Sequence, residues 1–134
     1  VKIVINPTWR CQFKCDYCWV RALGWHRRKK ELDWHKWAWW LRQLPWPSWV
    51  DFSGGEPLLY PGIIELFRVC DEANISWAIT TNLANTNAWE QLANEHMGGC
   101  ILINVSLHAE SPPDLAGRIH ALRAAGYTVR LNVV

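Results

Sequence analysis

No apolar run in this 134-residue chain approaches the ~20 residues that a membrane-crossing helix needs, which argues against a membrane role. No charged region precedes a long apolar one at the start. The chain opens instead on the short run "VKIVIN", so no secretory leader is expected from this pattern. No charge of one sign dominates: 14 Lys and Arg against 12 Asp and Glu leave +2. Bulk charge therefore gives no reason to expect nucleic acid or an anionic surface as partner. No serine–histidine or paired-carboxylate constellation offers nucleophilic or general acid–base chemistry. Five cysteines without a secretory cue suit a reducing compartment, so a cytoplasmic setting is expected. The length fits a single domain over 1–134, or part of one, and an apolar share of 50% suffices for a core.

What the chain has in excess is tryptophan: eleven, six of them from Trp34 to Trp49. The remaining pattern alternates strand and helix. Short β-branched or alternating runs fall at 2–6, 49–53, 75–82, 100–108 and 127–134. Between them, 31–44 puts Trp34, Trp37, Ala38, Leu41 and Leu44 on one helical stripe and leaves Trp39 and Trp40 off it, before Pro45 and Pro47. Residues 61–73 carry Ile63, Ile64, Phe67 and Cys70 at helical spacing. Asn87, with Glu90 three residues on, reads as a capping-box start, with Trp89, Leu92 and Ala93 as the buried side. A helix over 111–126 is expected to begin on a Ser111 cap and to end at Gly126.

Strand–helix–strand repetition means parallel strands joined by crossover helices, as in a doubly wound sheet or a (β/α) barrel. Side-chain parity chooses between them. Val50 and Phe52 oppose Asp51 and Ser53; Ile103, Val105 and Leu107 oppose Asn104 and Ser106; Val129, Leu131 and Val133 oppose Thr128, Arg130 and Asn132. A doubly wound sheet is apolar on both faces. Here one face is polar, so it points into an interior. A closed eight-stranded barrel packs that interior with Val, Ile and Leu. The expected fold is α/β: a partial (β/α) barrel of about five parallel strands with outer helices, ending before a sixth strand, with a polar lumen.

Function in such a fold gathers at the C-terminal ends of the strands. The loop after the first strand, "CQFKCDYCWV", holds Cys11, Cys15 and Cys18. Zinc in a structural site wants four ligands, usually in two close pairs, and His26 or His35 could complete one. An iron–sulfur cluster is held by thiolates, and three of them leave one iron of a four-iron cube open. Cys70 and Cys100 read as small buried apolar residues. After the second strand comes "SGGEP" (53–57), where two glycines let a backbone approach a ligand and Glu56 adds a carboxylate suited to a cationic amine.

Together, "NPTWRCQFKCDYCW" and "FSGGEPL" resemble the radical S-adenosylmethionine superfamily, whose signature is C-x3-C-x-aromatic-C after strand one and G-G-E-P after strand two. The resemblance implies a partial (β/α)6 barrel in which Cys11, Cys15 and Cys18 ligate three irons of a [4Fe-4S] cluster. The open iron would chelate the methionine moiety of S-adenosyl-L-methionine. The backbone at Gly54, Gly55 and Glu56 would hold its amino group, Pro57 would shape the turn, and Tyr17 would lie near the adenine. Asn82, Ser106 and Asn132 occupy the strand-end positions where the family makes its further cofactor contacts. The implied chemistry is reductive cleavage to a 5′-deoxyadenosyl radical that takes hydrogen from a substrate carbon. The implied partners are a flavodoxin- or ferredoxin-like electron donor and a small-molecule, nucleotide or peptide substrate. Asp51, Asn104 and Arg130 point inward by parity, either towards substrate or in an Asp–Arg pair. His108, after strand four, could reach the site or be a solvated loop residue. "HRRKK" (26–30) is a docking patch or a solvated lead-in. Relatives add a sixth strand and a C-terminal cover. Their absence leaves open a continuing chain, a short member, a fold without activity, or an activase that installs a glycyl radical on a partner protein. A zinc-stabilised binding module is the reading from a different class.

Overall fold

The computed structural model describes residues 1–28 and 30–134. Strands β1 (Lys2–Ile5), β2 (Trp49–Phe52), β3 (Ser76–Thr81), β4 (Cys100–Leu107) and β5 (Val129–Val133) form one sheet, every neighbouring pair parallel, in chain order. A doubly wound sheet reverses its strand order at a switch point. This one does not reverse, as a barrel wall requires. The connections carry α1 (Trp19–Ala22), α2 (Trp34–Leu41), α3 (Ile63–Glu72), α4 (Thr86–Asn94) and α5 (Leu115–Ala124), with 3-10 turns at Trp25–Arg27 and Pro57–Leu59. No helix among the described residues is long and apolar enough to cross a membrane.

Register fixes the two faces. Ile3 pairs with Val50 and Ile5 with Phe52; Val50 pairs with Trp77, Phe52 with Ile79 and Ile79 with Ile103. All of these are fully buried except Ile3, which is partly so. The Trp77 ring stacks on Phe67 of α3 at 4.0 Å, and Phe52 meets Phe67 edge-on at 5.1 Å. This aromatic layer locks α3 onto the middle of the wall. The opposite face carries Asp51, Thr80, Asn104 and Ser106, as the alternation anticipates.

Four local expectations change. Helix α2 starts at Trp34 rather than residue 31, because the Asp33 side chain accepts the His35 N–H at 2.9 Å and caps it there. Helix α4 is capped by Asn85, not Asn87: Asn85 Oδ1 accepts from Ala88 N at 3.3 Å while its Nδ2 donates to the Leu58 carbonyl at 3.1 Å. That second bond reaches a distant turn, so local spacing could not reveal it. Ser111 does not cap α5, which begins at Leu115 after Pro112 and Pro113; its Oγ accepts from His108 N at 2.9 Å instead. On β5, Leu131 and Val133 occupy the helix-facing side yet are 52% and 81% exposed. β5 is the edge strand, and among the described residues nothing packs beyond it.

Candidate active site

The cysteine loop and the glycine turn meet at the C-terminal ends of β1 and β2. The Gly55 N–H donates to the Thr8 carbonyl at 3.1 Å, and the Glu56 N–H to the Arg10 carbonyl at 2.7 Å. A Cβ on Gly55 would lie 2.2 Å from the Arg10 oxygen, and one on Gly54 2.5 Å from the Thr8 oxygen; Gly54 also has φ +119°. The open space that glycine provides is taken up by the loop that leads into Cys11. With these N–H groups engaged, the Gly54 and Gly55 carbonyls accept no hydrogen bond from the described residues. They form an acceptor ledge.

Glu56 behaves differently from the sequence expectation. Its carboxylate is buried and accepts from Leu58 N at 3.0 Å, the Thr81 hydroxyl at 2.6 Å and Asn82 N at 2.8 Å. It points into the scaffold and staples the turn to the end of β3, so it is not presented to a ligand amine. Burial pushes its carboxyl up to about 7 against these hydrogen bonds. Pro57, also buried, opens the 3-10 turn that follows. Asn82, held by its own N–H, directs Nδ2 at Cys11 Sγ, 3.8 Å away, and accepts from Gln12 Nε2 at 3.3 Å.

A cavity of about 280 Å³ opens here. Cys11, Cys15, Cys18, Tyr17, Gly54, Gly55, Glu56, Asn82 and Ser106 all contribute to its wall, so the structure brings together most of the residues singled out in the sequence. Asn132 is half-buried beside Ser106 in register but is not in the wall. Asp51, Asn104 and Arg130 are not in the wall either. Asp51 pairs with Lys2 at 3.4 Å, and β3 and β4 separate it from Arg130, so the expected Asp–Arg pair does not form. Asn104 is half-buried with its Oδ1 unpartnered, and Arg130 beside it is exposed. Cys70 is buried and Cys100 partly so, and burial pushes both thiols up to about 12, as suits inert residues. Lys29 of the basic run 26–30 lies outside the described residues.

Sequence reasoning missed several wall residues, among them Phe13, Trp19, Ser53, Thr80 and Thr81. It left His108 undecided. The fold places His108 in the wall, with Nδ1 2.7 Å from the Tyr17 hydroxyl and 3.4 Å from Cys15 Sγ, its ring edge-on to Phe13. Arg118 was also missed. From α5 it donates to the Leu83 carbonyl at 2.7 Å and to Ala84 at 3.3 Å, and so holds the turn that carries Asn82; Leu83 has φ +55° there. A larger cleft, about 510 Å³, lies on α2 among Trp37, Trp39 and Trp40. It contains none of the cysteines, and its wall is mostly indole with His35 and Lys36 beside it.

A chain-ordered parallel wall, polar inside, with a three-thiol loop facing a glycine ledge at its C-terminal rim, defines an open barrel of the radical S-adenosylmethionine type. The family model described as the Radical SAM superfamily matches residues 5–134, and the chain belongs to that superfamily. It is 32% identical over 126 residues to a PqqA peptide cyclase of Ruegeria pomeroyi, covering 89% of this chain and 32% of that protein. Its fold is similar to Streptococcus suis SuiB bound to precursor peptide SuiA, with TM-score 0.79, 26% identity, and coverage of 98% of this chain and 32% of that one. SuiB bound to S-adenosylmethionine gives TM-score 0.77 at 26% identity, with 98% and 33% covered. The chain thus spans about a third of the length of these relatives.

Proposed function

We propose that this domain is the cofactor-binding part of a radical enzyme that acts on a peptide. Cys11, Cys15 and Cys18 would hold a [4Fe-4S] cluster, and the ledge at Gly54 and Gly55 would hold S-adenosylmethionine. One observation carries the reading: the three cysteines line one cavity with Gly54 and Gly55, whose carbonyls accept no hydrogen bond from the described residues. The donor set fits. Thiolates are the ligands of iron–sulfur clusters, and carbonyl oxygens suit the ammonium of an amino acid. Among the described residues, no three His, Cys, Asp or Glu side chains gather tightly enough for a single metal ion.

When bound, the reduced cluster and S-adenosylmethionine supply a 5′-deoxyadenosyl radical that removes a hydrogen atom from an unreactive carbon. The chain positions and shields. Loading must displace the thiol protons of the three cysteines, a step that higher pH assists. Asn82 aims its amide at the Cys11 sulfur from a backbone fixed by Glu56. Tyr17, 63% exposed, stands at the rim against His108, where a flat adenine could lie. The peptide class rests on the names of the relatives: a peptide cyclase and an enzyme bound to its precursor peptide.

Anaerobic reconstitution with iron and sulfide tests this. The expected result is a brown protein that, once reduced, converts S-adenosylmethionine to 5′-deoxyadenosine. Cys15→Ala should abolish both the colour and the cleavage. Binding of one zinc with no cleavage would establish the competing binding-module reading.

A further inference from the structure

The cleavage proposed above needs one electron delivered to the cysteine loop, and the sequence around that loop is electrostatically unlike the rest. Residues 11–30 contain six Lys or Arg and a single acid, Asp16; this stretch is +5, while the remainder of a +2 chain is −3. Lys14, Arg27, Arg28 and Lys30 are exposed and Arg21 is half-buried. Among the described residues none of these five joins an ion pair, whereas five of the eight bases elsewhere do: Lys2, Arg10, Arg42, Arg68 and Arg118. Bases left without acids inside their own molecule are free to meet acids on another.

The patch has an aromatic centre. Trp9, Trp19 and Trp25 touch one another edge-on, with ring centroids 4.7 to 5.9 Å apart, and the Arg28 guanidinium lies 5.1 Å from the Trp25 ring. Trp19 directly follows Cys18, contributes to the cavity wall and is 50% exposed. An indole cluster with a guanidinium against it, in a stretch rich in exposed bases, has the anatomy of a protein-docking surface. None of the bases lines the cavity. A substrate must place a carbon inside that cavity, but an electron carrier need only bring its redox centre near the thiols. The position beside the cavity therefore fits a carrier better than a substrate.

We propose that the surface formed by Trp19, Trp25, Arg21, Arg27, Arg28 and Lys30 docks an acidic one-electron carrier protein of the flavin or iron–sulfur class. The proposal rests on the functional reading above. On docking, the carrier is oxidised by one electron and the cluster held by the cysteines is reduced by one; no atom is transferred.

The test uses reconstituted holoprotein and the triple variant Arg27→Glu/Arg28→Glu/Lys30→Glu, with reduced flavodoxin or dithionite as reductant. Flavodoxin-driven cleavage should fall at least ~10-fold in the variant, and its decline with added salt should flatten, because charge steering is lost. Dithionite-driven cleavage should stay within about 2-fold of wild type, since a small reductant needs no docking surface. Binding of oxidised flavodoxin, measured by calorimetry, should weaken in parallel. Equal flavodoxin-driven rates and equal binding in both proteins would overturn the proposal. So would an equal loss with dithionite, which would mean that the patch only supports the loop. Inhibition of dithionite-driven turnover by a poly-glutamate peptide would mark the patch as a substrate site and also overturn it. A wild-type protein inert with dithionite would sink the functional reading itself, whereas normal dithionite turnover with an indifferent patch sinks this proposal alone.

Discussion

Glu56 combines three roles in one side chain: it follows the glycine ledge, accepts three hydrogen bonds and is buried. Its carboxyl lies near 7 in the fold against 4.5 unperturbed. Between those values the folded form keeps a proton that the unfolded chain has released. Stability therefore falls as pH rises through that window and is flat above it, by on the order of 3 kcal/mol in total. Denaturant titrations at pH 5 and pH 8 should show this slope in the wild type and its loss in Glu56→Gln. The amide has one carbonyl oxygen where the carboxylate has two, so Leu58 N or Asn82 N loses its acceptor, at about 1–3 kcal/mol. The two glycine classes differ as sharply. Gly55→Ala forces a methyl group onto the Arg10 and Trp9 carbonyls and should destabilise by about 1–3 kcal/mol or more, with the cysteine loop displaced. Gly98→Ala meets nothing within 4 Å and should be neutral or slightly stabilising. Thermal denaturation of both variants checks the contrast.

Helices outside the wall set the positions of residues inside it. Helix α4 is anchored by Asn85 both to its own first turn and to the Leu58 carbonyl of the turn after the glycine ledge. Asn85→Ala should lower stability by about 1–2 kcal/mol, as loss of an N-cap does. Asn87→Ala, at an exposed position inside the helix, should change it by less than ~0.5 kcal/mol. Helix α5 reaches further, since Arg118 satisfies the carbonyls of Leu83 and Ala84 and is itself braced by Asp114 at 3.0 Å. Arg118→Leu leaves those carbonyls without a donor and releases a turn in which Leu83 holds a positive φ. The expected loss is about 2–3 kcal/mol, read by denaturant unfolding.

The whole molecule is an open half-cylinder whose apolar outer face is well covered at β2 and β3 and bare at β5. Leu131 and Val133 gain little from the fold, so replacing both with Thr should alter stability by less than about 1 kcal/mol. The cofactors should matter far more. The residues that wall their proposed site lie in the loops after β1, β2 and β3 and at the end of β4, so binding links most of the wall at one rim. Saturating the reconstituted protein with S-adenosylmethionine at 100 times its Kd should add about 2.7 kcal/mol, and stripping the iron should abolish that gain. A denaturation midpoint indifferent to the nucleoside in the loaded protein would contradict the ledge.

Much of this is legible in the sequence alone. Alternation along the second, fourth and fifth strands gave a polar inner face, because side-chain period in a strand is a local property. Strand–helix repetition gave parallel pairing, and two short motifs gave most of the cavity wall, because each lies on one continuous loop at a strand end. What stayed hidden depends on partners far away in the chain. The glycines of the ledge answer to Thr8 and Arg10, more than forty residues earlier. Glu56 turns inward because Thr81 and Asn82, about 25 residues on, offer it donors. Asn85 outcompetes Asn87 because Leu58 is within its reach, and His108 joins the wall because β4 ends opposite Tyr17. Local chemistry announced which groups gather at the rim; only packing between separate strands settled which of them face the cavity and which hold the others in place.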